Sequence, residues 1–300
     1  MKRILVIRLG ALGDFVLSFG PFAAIRTHHP DAEITLLTTA PFAGLAARAP
    51  WFDHVLIDQR PKFHDLRGLA RLIRQLWGYD FVYDLQTSGR SGRYFWLAGA
   101  PDWSGIVRFA SHPHHAANRT RLHSIERQRD QLLLAGIEDF PVPDLTWLKS
   151  DISRFALPPQ FSLLIPGAAP HRPEKRWPAG KFGALAVALN QSGLPPVIIG
   201  TRHEAQEAAA IRAICPQARD LTGQTSIEDI ASLAAHADLV VGNDTGPMHL
   251  AAASGARCVV MFGPASNPAL TAPRGRVSVI EVPDLNNLAP SQVLDIISSP

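Results

Sequence analysis

Short apolar, β-branched runs alternate with helix-length amphipathic stretches along most of this chain, and that alternation constrains the fold more than any other feature. Residues 3–8 (RILVIR) lead into a helical stretch over 14–27, 33–38 (EITLLT) into 40–48, 54–58 (HVLID) into 64–77, and 80–84 (DFVYD) into 90–98. Strands that are apolar throughout are buried on both faces, and helices between successive parallel strands supply both covers. The pattern lapses over 100–121, a segment rich in His, Pro and Arg that is expected to be loop. A helix follows at 122–136, and then Pro141, Pro143, Pro158 and Pro159 interrupt helix and strand alike over 137–160. From 161 the alternation restarts: strands at 161–165, 196–199, 219–221, 238–241 and 257–262, helices at 179–191, 203–214, 226–236 and 247–253. The expected fold is therefore α/β, with two doubly wound domains over 1–155 and 156–300 joined by the proline-rich segment. A length of 300 residues, about twice a typical domain, suits that division.

Composition narrows the class further. Hydrophobic residues make up 46 % and charged residues 18 %, as in an ordinary globular protein. No apolar run approaches the roughly 18 residues of a membrane span, and the N-terminus opens a strand-like segment with no signal-peptide pattern, so a cytoplasmic location is expected. Cys215 and Cys258 are isolated, fit no zinc spacing, and are expected to be reduced packing residues. The net charge of +3 is uneven: 1–155 holds 19 Lys+Arg against 15 Asp+Glu, and 156–300 holds 10 against 11. The surplus concentrates between 60 and 129 and implies an anionic partner. No nucleic-acid motif accompanies it and no aromatic platform interleaves with it, so a phosphorylated lipid or saccharide is the better expectation.

Doubly wound sheets bind ligands beyond the carboxyl ends of their strands, and two such domains are expected to do so across a cleft. Four stretches fall at those ends. VVGNDTGPMHLAAA, at 240–253, runs from strand to helix, with Asp244 or Thr245 as the expected cap, Pro247 tolerated in the first turn, and Gly246 leaving first-turn amides open to an anion such as a diphosphate. His249, one turn in, can donate a hydrogen bond to the same ligand. RLGALGD, at 8–14, places Asp14 at the edge of a helix behind Gly10 and Gly13; it has neither the dinucleotide fingerprint nor the P-loop spacing. IPGAAPHRPEKRWP, at 165–178, holds Lys175 and Arg176 on a proline-stiffened loop where they can meet a phosphate. In GTRHE, at 200–204, Glu204 can accept from a ribose diol or serve as a helix N-terminal acid.

RLGALGD, DLQTSGRSGR, IPGAA with EKRWP, LTGQTSIEDIA, and VVGNDTGPMHLAAASG with the FGP at 262–264 together resemble the glycosyltransferase family 9 heptosyltransferases over nearly the full chain. The resemblance implies a GT-B fold of two Rossmann-like domains, the first holding the acceptor and the second a nucleotide-sugar donor. It implies an inverting, metal-independent transfer of heptose from ADP-heptose to the phosphorylated inner core of lipopolysaccharide. Asp14 would be the general base. Lys175 would neutralise the departing diphosphate, with the amides of Thr245 and Gly246. Asp244, His249, Pro247, Met248, Arg176 and Glu204 would complete the donor site, and Gly10, Gly13, Arg60, Lys62, Arg90, Arg93 and Arg121 the acceptor site. No cofactor and no metal would be needed. The partners would be the donor and an anionic glycolipid at the inner membrane surface, with the protein a monomer that associates peripherally with that membrane. The loop at 168–173 reads AAPHRP and lacks hydroxyl residues for the donor phosphates. Two other readings stay open here: a related transferase with another nucleotide sugar or acceptor, and a catalytically silent sugar-nucleotide-binding protein.

Overall fold

Burial accounts for the continuous apolar strands. In β1 (Arg3–Ile7) every residue after the first is buried, and the same holds for β2 (Glu33–Thr38). The computed structural model describes all residues except Phe63, Pro170 and Pro300. Two units divide it, Met1–Trp147 and Leu148–Pro300.

The first unit is built on six parallel strands: β1, β2, β3 (His54–Ile57), β4 (Phe81–Asp84), β5 (Asp102–Gly105) and β6 (His112–Pro113), in the order β3-β2-β1-β4-β5-β6. Its helices are α1 (Leu12–Val16), α2 (Phe19–His28), α3 (Ala40–Arg48), α4 (Leu66–Leu76), α5 (Gly89–Leu97) and α6 (Ser124–Leu134). Local chemistry sets several starts. Asp65 caps α4 by accepting from the Gly68 amide at 2.8 Å, and Ser88 with Ser91 forms a reciprocal capping box on α5.

The second unit repeats the plan with β7 (Ser162–Ile165), β8 (Pro196–Ile198), β9 (Arg219–Asp220), β10 (Leu239–Asn243), β11 (Cys258–Phe262) and β12 (Val277–Glu281), in the order β12-β11-β10-β7-β8-β9. Its helices are α7 (Ala179–Gln191), α8 (Ala205–Ile214), α9 (Ile227–His236), α10 (Gly246–Ala253), α11 (Pro268–Thr271) and α12 (Pro290–Ser298). Apolar clusters lie on both faces of this sheet, one around Leu163, Val240 and Val260 and the other around Leu164, Val241 and Val259, as alternation along buried strands requires.

Four expectations need correction. The 100–121 segment is not loop throughout, since β5 and β6 extend the first sheet there; DWSG lacks an apolar run, yet Trp103 and Ser104 are fully buried by pairing beside β4. The 14–27 helix is two helices. In a continuous helix the residue at 21 would donate to the Leu17 carbonyl, but Pro21 has no N–H, and the Gln128 Nε2 approaches that carbonyl at 3.5 Å instead. Beyond Phe262 the chain adds β12 and α12, which carry the alternation past the last expected strand. The unit boundary precedes the expected 155/156, because Ser150 and Arg154 both bond the Asp229 carboxylate, at 2.8 and 2.5 Å, and Phe155 is buried in the second unit's core.

Candidate active site

In the first sheet the strand order reverses between β1 and β4, where Ile7 pairs with Asp84. The chain leaves β1 at Arg8 and turns through Gly10, whose φ of +112° and proximity to Phe42 exclude a side chain. Asp14 then sits in the first turn of α1 with 45 % of its side chain exposed. Beneath it Arg8 is only 5 % exposed. Its Nη1 donates to the Leu85 carbonyl at 2.6 Å, its Nη2 and Nε donate to the Asp14 carbonyl at 2.7 and 3.2 Å, and Nη2 lies 3.4 Å from the Asp14 carboxylate. Burial lowers the pKa of this guanidinium, and Asp14 opposes that shift. A fixed cation thus holds the backbone and faces the carboxylate of the one acid that the turn presents to solvent.

Two more guanidinium groups are tied to the same edge through buried Asp58. The Arg60 amide donates to Asp58 Oδ1 at 2.7 Å while its Nη2 reaches the Leu9 carbonyl at 3.4 Å. The Tyr94 hydroxyl donates to Asp58 Oδ2 at 2.6 Å and lies 3.4 Å from Arg90 Nη1. Asp84 is fully buried; its Oδ1 accepts from the Thr87 amide at 3.0 Å, and its Oδ2 has no partner among the described residues. Burial pushes this carboxyl up to about 6, against hydrogen bonds from Thr87, Ser91 and Gln86 and the charge of Arg8.

In the second sheet the reversal lies between β7 and β10. Fully buried Asn243 organises it. Its Nδ2 donates to the Pro166 carbonyl at 2.7 Å and its Oδ1 accepts from the Trp177 amide at 2.9 Å, so one side chain fixes the loop after β7 and the approach to α7 against β10. Asp244, 7 % exposed, accepts from Lys175 Nζ at 2.6 Å, and His249 Nε2 is 3.9 Å from its other oxygen. Burial alone would raise the Asp244 pKa, but His249, Lys175 and Ser266 together hold the carboxyl down at about 2, so this carboxylate is ionised at neutral pH.

Thr245 is the N-cap residue of α10 in extended conformation, φ −153° and ψ 159°, and its side chain makes no cap bond. Among the described residues the Thr245 and Gly246 amides have no acceptor. Open amides and the positive end of the helix dipole, next to the half-buried Lys175, are features that attract an anion. No group of three or more His, Cys, Asp or Glu among the described residues is arranged to hold a metal ion.

The profile of glycosyltransferase family 9 (heptosyltransferase) matches residues 69–292. The chain belongs to that family. Lipopolysaccharide heptosyltransferase 2 of Escherichia coli strain K12 is 28 % identical to it over 307 aligned positions, covering 90 % of this chain and 85 % of the relative. The solved E. coli ADP-heptose lipopolysaccharide heptosyltransferase II superimposes with a TM-score of 0.76 at 24 % identity, covering 99 % of this chain and 97 % of the other. The E. coli heptosyltransferase WaaC, solved with ADP-2-deoxy-2-fluoro heptose, does so with a TM-score of 0.78 at 22 % identity and 99 % coverage of each chain. The doubly wound units are thus those of a GT-B glycosyltransferase.

Within this family 9 chain the expected residues divide. Gly10, Gly13, Asp14, Arg60 and Arg90 converge on the carboxyl edge of the first sheet, whereas Lys62, Arg93 and Arg121 lie exposed on the loop after β3, on α5 and on the 119–121 turn. Lys175, Asp244, Thr245, Gly246, Pro247 and His249 converge on the second. Three expectations change. Neither Asp244 nor Thr245 caps α10 with its side chain, because the Asp244 carboxylate is taken by Lys175. Met248 is fully buried in the core under α10 and anchors the helix to the sheet. Buried Glu204 spends one carboxylate oxygen on the amide and hydroxyl of Thr201, at 2.8 and 2.7 Å, so it serves as the helix N-terminal acid, while its other oxygen lies 3.9 Å from Arg176.

Arg176 bonds Glu207 at 2.5 Å and the Ala168 carbonyl at 3.0 Å, which steadies the loop carrying Lys175. Pro170 in that loop lies outside the described residues. Arg8, Asp58, Asp84 and Asn243 escape inspection of the sequence. All four leave the same trace there, as polar residues at the ends of apolar strands.

Proposed function

We propose that this family 9 enzyme transfers heptose from ADP-heptose to the anionic inner core of lipopolysaccharide at the cytoplasmic face of the inner membrane. The observation that carries this is the second unit's pairing of Lys175 and Asp244 beside the open amides of α10. The second unit takes the donor. Its diphosphate sits at the Thr245 and Gly246 amides against Lys175, and Asp244 with His249 orients the lysine and the sugar. The first unit takes the acceptor, with Arg60 and Arg90 meeting its anionic groups.

Asp14 accepts the proton of the acceptor hydroxyl as that oxygen attacks the anomeric carbon. The bond from that carbon to the diphosphate oxygen breaks, the electron pair leaves with ADP, and the configuration inverts. Negative charge grows on the leaving group during this step, so a fixed lysine and helix amides stabilise the transition state more than the ground state. Arg8 holds Asp14 from below. No cofactor takes part in this scheme.

Isothermal titration with ADP, UDP and GDP tests the reading. The expected result is selective ADP binding, weakened roughly ten- to hundredfold by Lys175→Ala, the range for loss of one charge-assisted hydrogen bond. Selective UDP or GDP binding would assign the same chemistry to another nucleotide sugar, an outcome to which the hydroxyl-free AAPHRP loop lends weight. Absence of nucleotide binding would overturn the assignment of this site to a nucleotide-sugar donor.

A further inference from the structure

Helices α4 and α5 pack side by side on one face of the first sheet, and the surface they present combines unpaired cations with exposed aromatic rings. Along α4, Arg67, Arg71 and Arg74 recur at i, i+4 and i+7 and are all exposed, while Leu72 and Leu76 on the opposite side are buried. Among the described residues no carboxylate is within ion-pair distance of these three arginines; Arg71 Nη1 donates to the Gln59 side chain at 2.8 Å. Trp77 closes α4 with 58 % of its surface exposed and donates from Nε1 to the Leu97 carbonyl at 2.7 Å, which joins the ends of the two helices. Trp96 on α5 is 61 % exposed and Phe109 is 74 % exposed, their ring centroids 6.2 Å apart. A recess of about 350 Å³, lined by Arg71, Arg74, Trp77, Arg3 and Tyr79 and also by Glu33, opens on the same flank.

We propose that this α4–α5 face docks the protein on an anionic lipid surface. Three arginines with no carboxylate among the described residues in ion-pair distance complement headgroup phosphates, and the recess beside Arg71, Arg74 and Trp77 is of a size to admit one such headgroup, with Arg3 offsetting the Glu33 carboxylate in its lining. Trp77, Trp96 and Phe109 are apolar bodies, two of them with a polar tip, of the kind that settles at a membrane–water boundary. Two adjacent helices offer a face and not a groove, and the rings flank the cations instead of interleaving with them, which suits a bilayer better than a nucleic-acid strand. The inference goes beyond the transferase reading, and it explains how an enzyme in which no helix among the described residues is long and apolar enough to cross a membrane reaches a glycolipid acceptor.

Co-sedimentation of the full chain with vesicles of phosphatidylcholine alone, and with a third phosphatidylglycerol, tests it, alongside ADP titration of each variant to register the donor site separately. The expected result is binding only to the anionic vesicles, falling with salt. Arg67→Gln/Arg71→Gln/Arg74→Gln should weaken it roughly a hundredfold, from the contribution of basic residues near such a surface. Trp96→Ala/Phe109→Ala should weaken it at every salt concentration, with ADP binding unchanged in both variants. Equal binding to neutral vesicles, no binding, or an undiminished triple variant would overturn the proposal. So would a duplex oligonucleotide that binds as tightly as the vesicles. A failure here with ADP binding intact leaves the transferase reading standing.

Discussion

Replacing Asp84 by asparagine should abolish a pH dependence of stability that originates at the reversal point of the first sheet. The carboxyl is fully buried at the end of β4, and its pKa rises from an ordinary 3.8 to about 6. Between those values the folded protein holds a proton that the unfolded chain has released, so folded stability is greatest below about pH 4 and declines as pH rises through 6. A shift of about 2 units corresponds to roughly 3 kcal/mol lost by neutral pH. In a unit of this size that is on the order of 6–12 °C in melting temperature. His29 acts in the opposite sense: burial, with the neighbouring His28, Lys2 and Arg26 charges, pushes it down to about 4, so its contribution to stability increases with pH over much of the same window. The wild-type profile alone therefore decides nothing, and the informative quantity is the difference between wild type and Asp84→Asn. Asparagine keeps the acceptor for the Thr87 amide. Melting or denaturant curves of both proteins from pH 4 to 8 should diverge in favour of the variant as pH rises to about 7 and stay parallel beyond it. A difference that is constant across that range would refute the assignment of the titration to Asp84.

Two further outcomes follow from the sites. Asp14→Asn should lower turnover by roughly 10²- to 10⁴-fold while leaving ADP binding as in wild type, read by product formation and titration; turnover near the wild-type rate would remove Asp14 as the base. Asn243→Ala strands the buried Pro166 carbonyl and Trp177 amide, so on the order of 3 kcal/mol should be lost from the second unit, with a weaker ADP site as the loop carrying Lys175 loosens. Unchanged melting and unchanged affinity would show that the two loops hold their places without it.

Much of the fold was legible because parallel strands buried on both faces must be apolar throughout. The limits of β2, α3 and α7 follow directly from the residue pattern. DWSG was not legible, since Trp103 and Ser104 become strand only by pairing with β4. The α1/α2 break is visible afterwards in Pro21 but depends on Gln128, more than a hundred residues away, approaching the Leu17 carbonyl. For the site, Asp14, Lys175 and the DTGP segment stood out because strand-to-helix junctions with glycine and charge are uncommon. Met248 and Glu204 belong to the same junctions, yet one fills the core and the other caps a helix.

Two α/β units, and glycine- and charge-bearing loops at the carboxyl ends of their strands, are determined by the sequence alone: hydrophobic periodicity and turn chemistry are local, and they act over a few residues. Tertiary structure decided which polar groups meet. The pairing of Lys175 with Asp244, the clasp of Asn243 on two loops and the bond from Arg8 to the Leu85 carbonyl join residues distant in the chain, and the elevated carboxyl of Asp84 comes from burial among such residues. Each depends on desolvation and on distances of about 3 Å, which exist only once the sheets have brought their strand ends together.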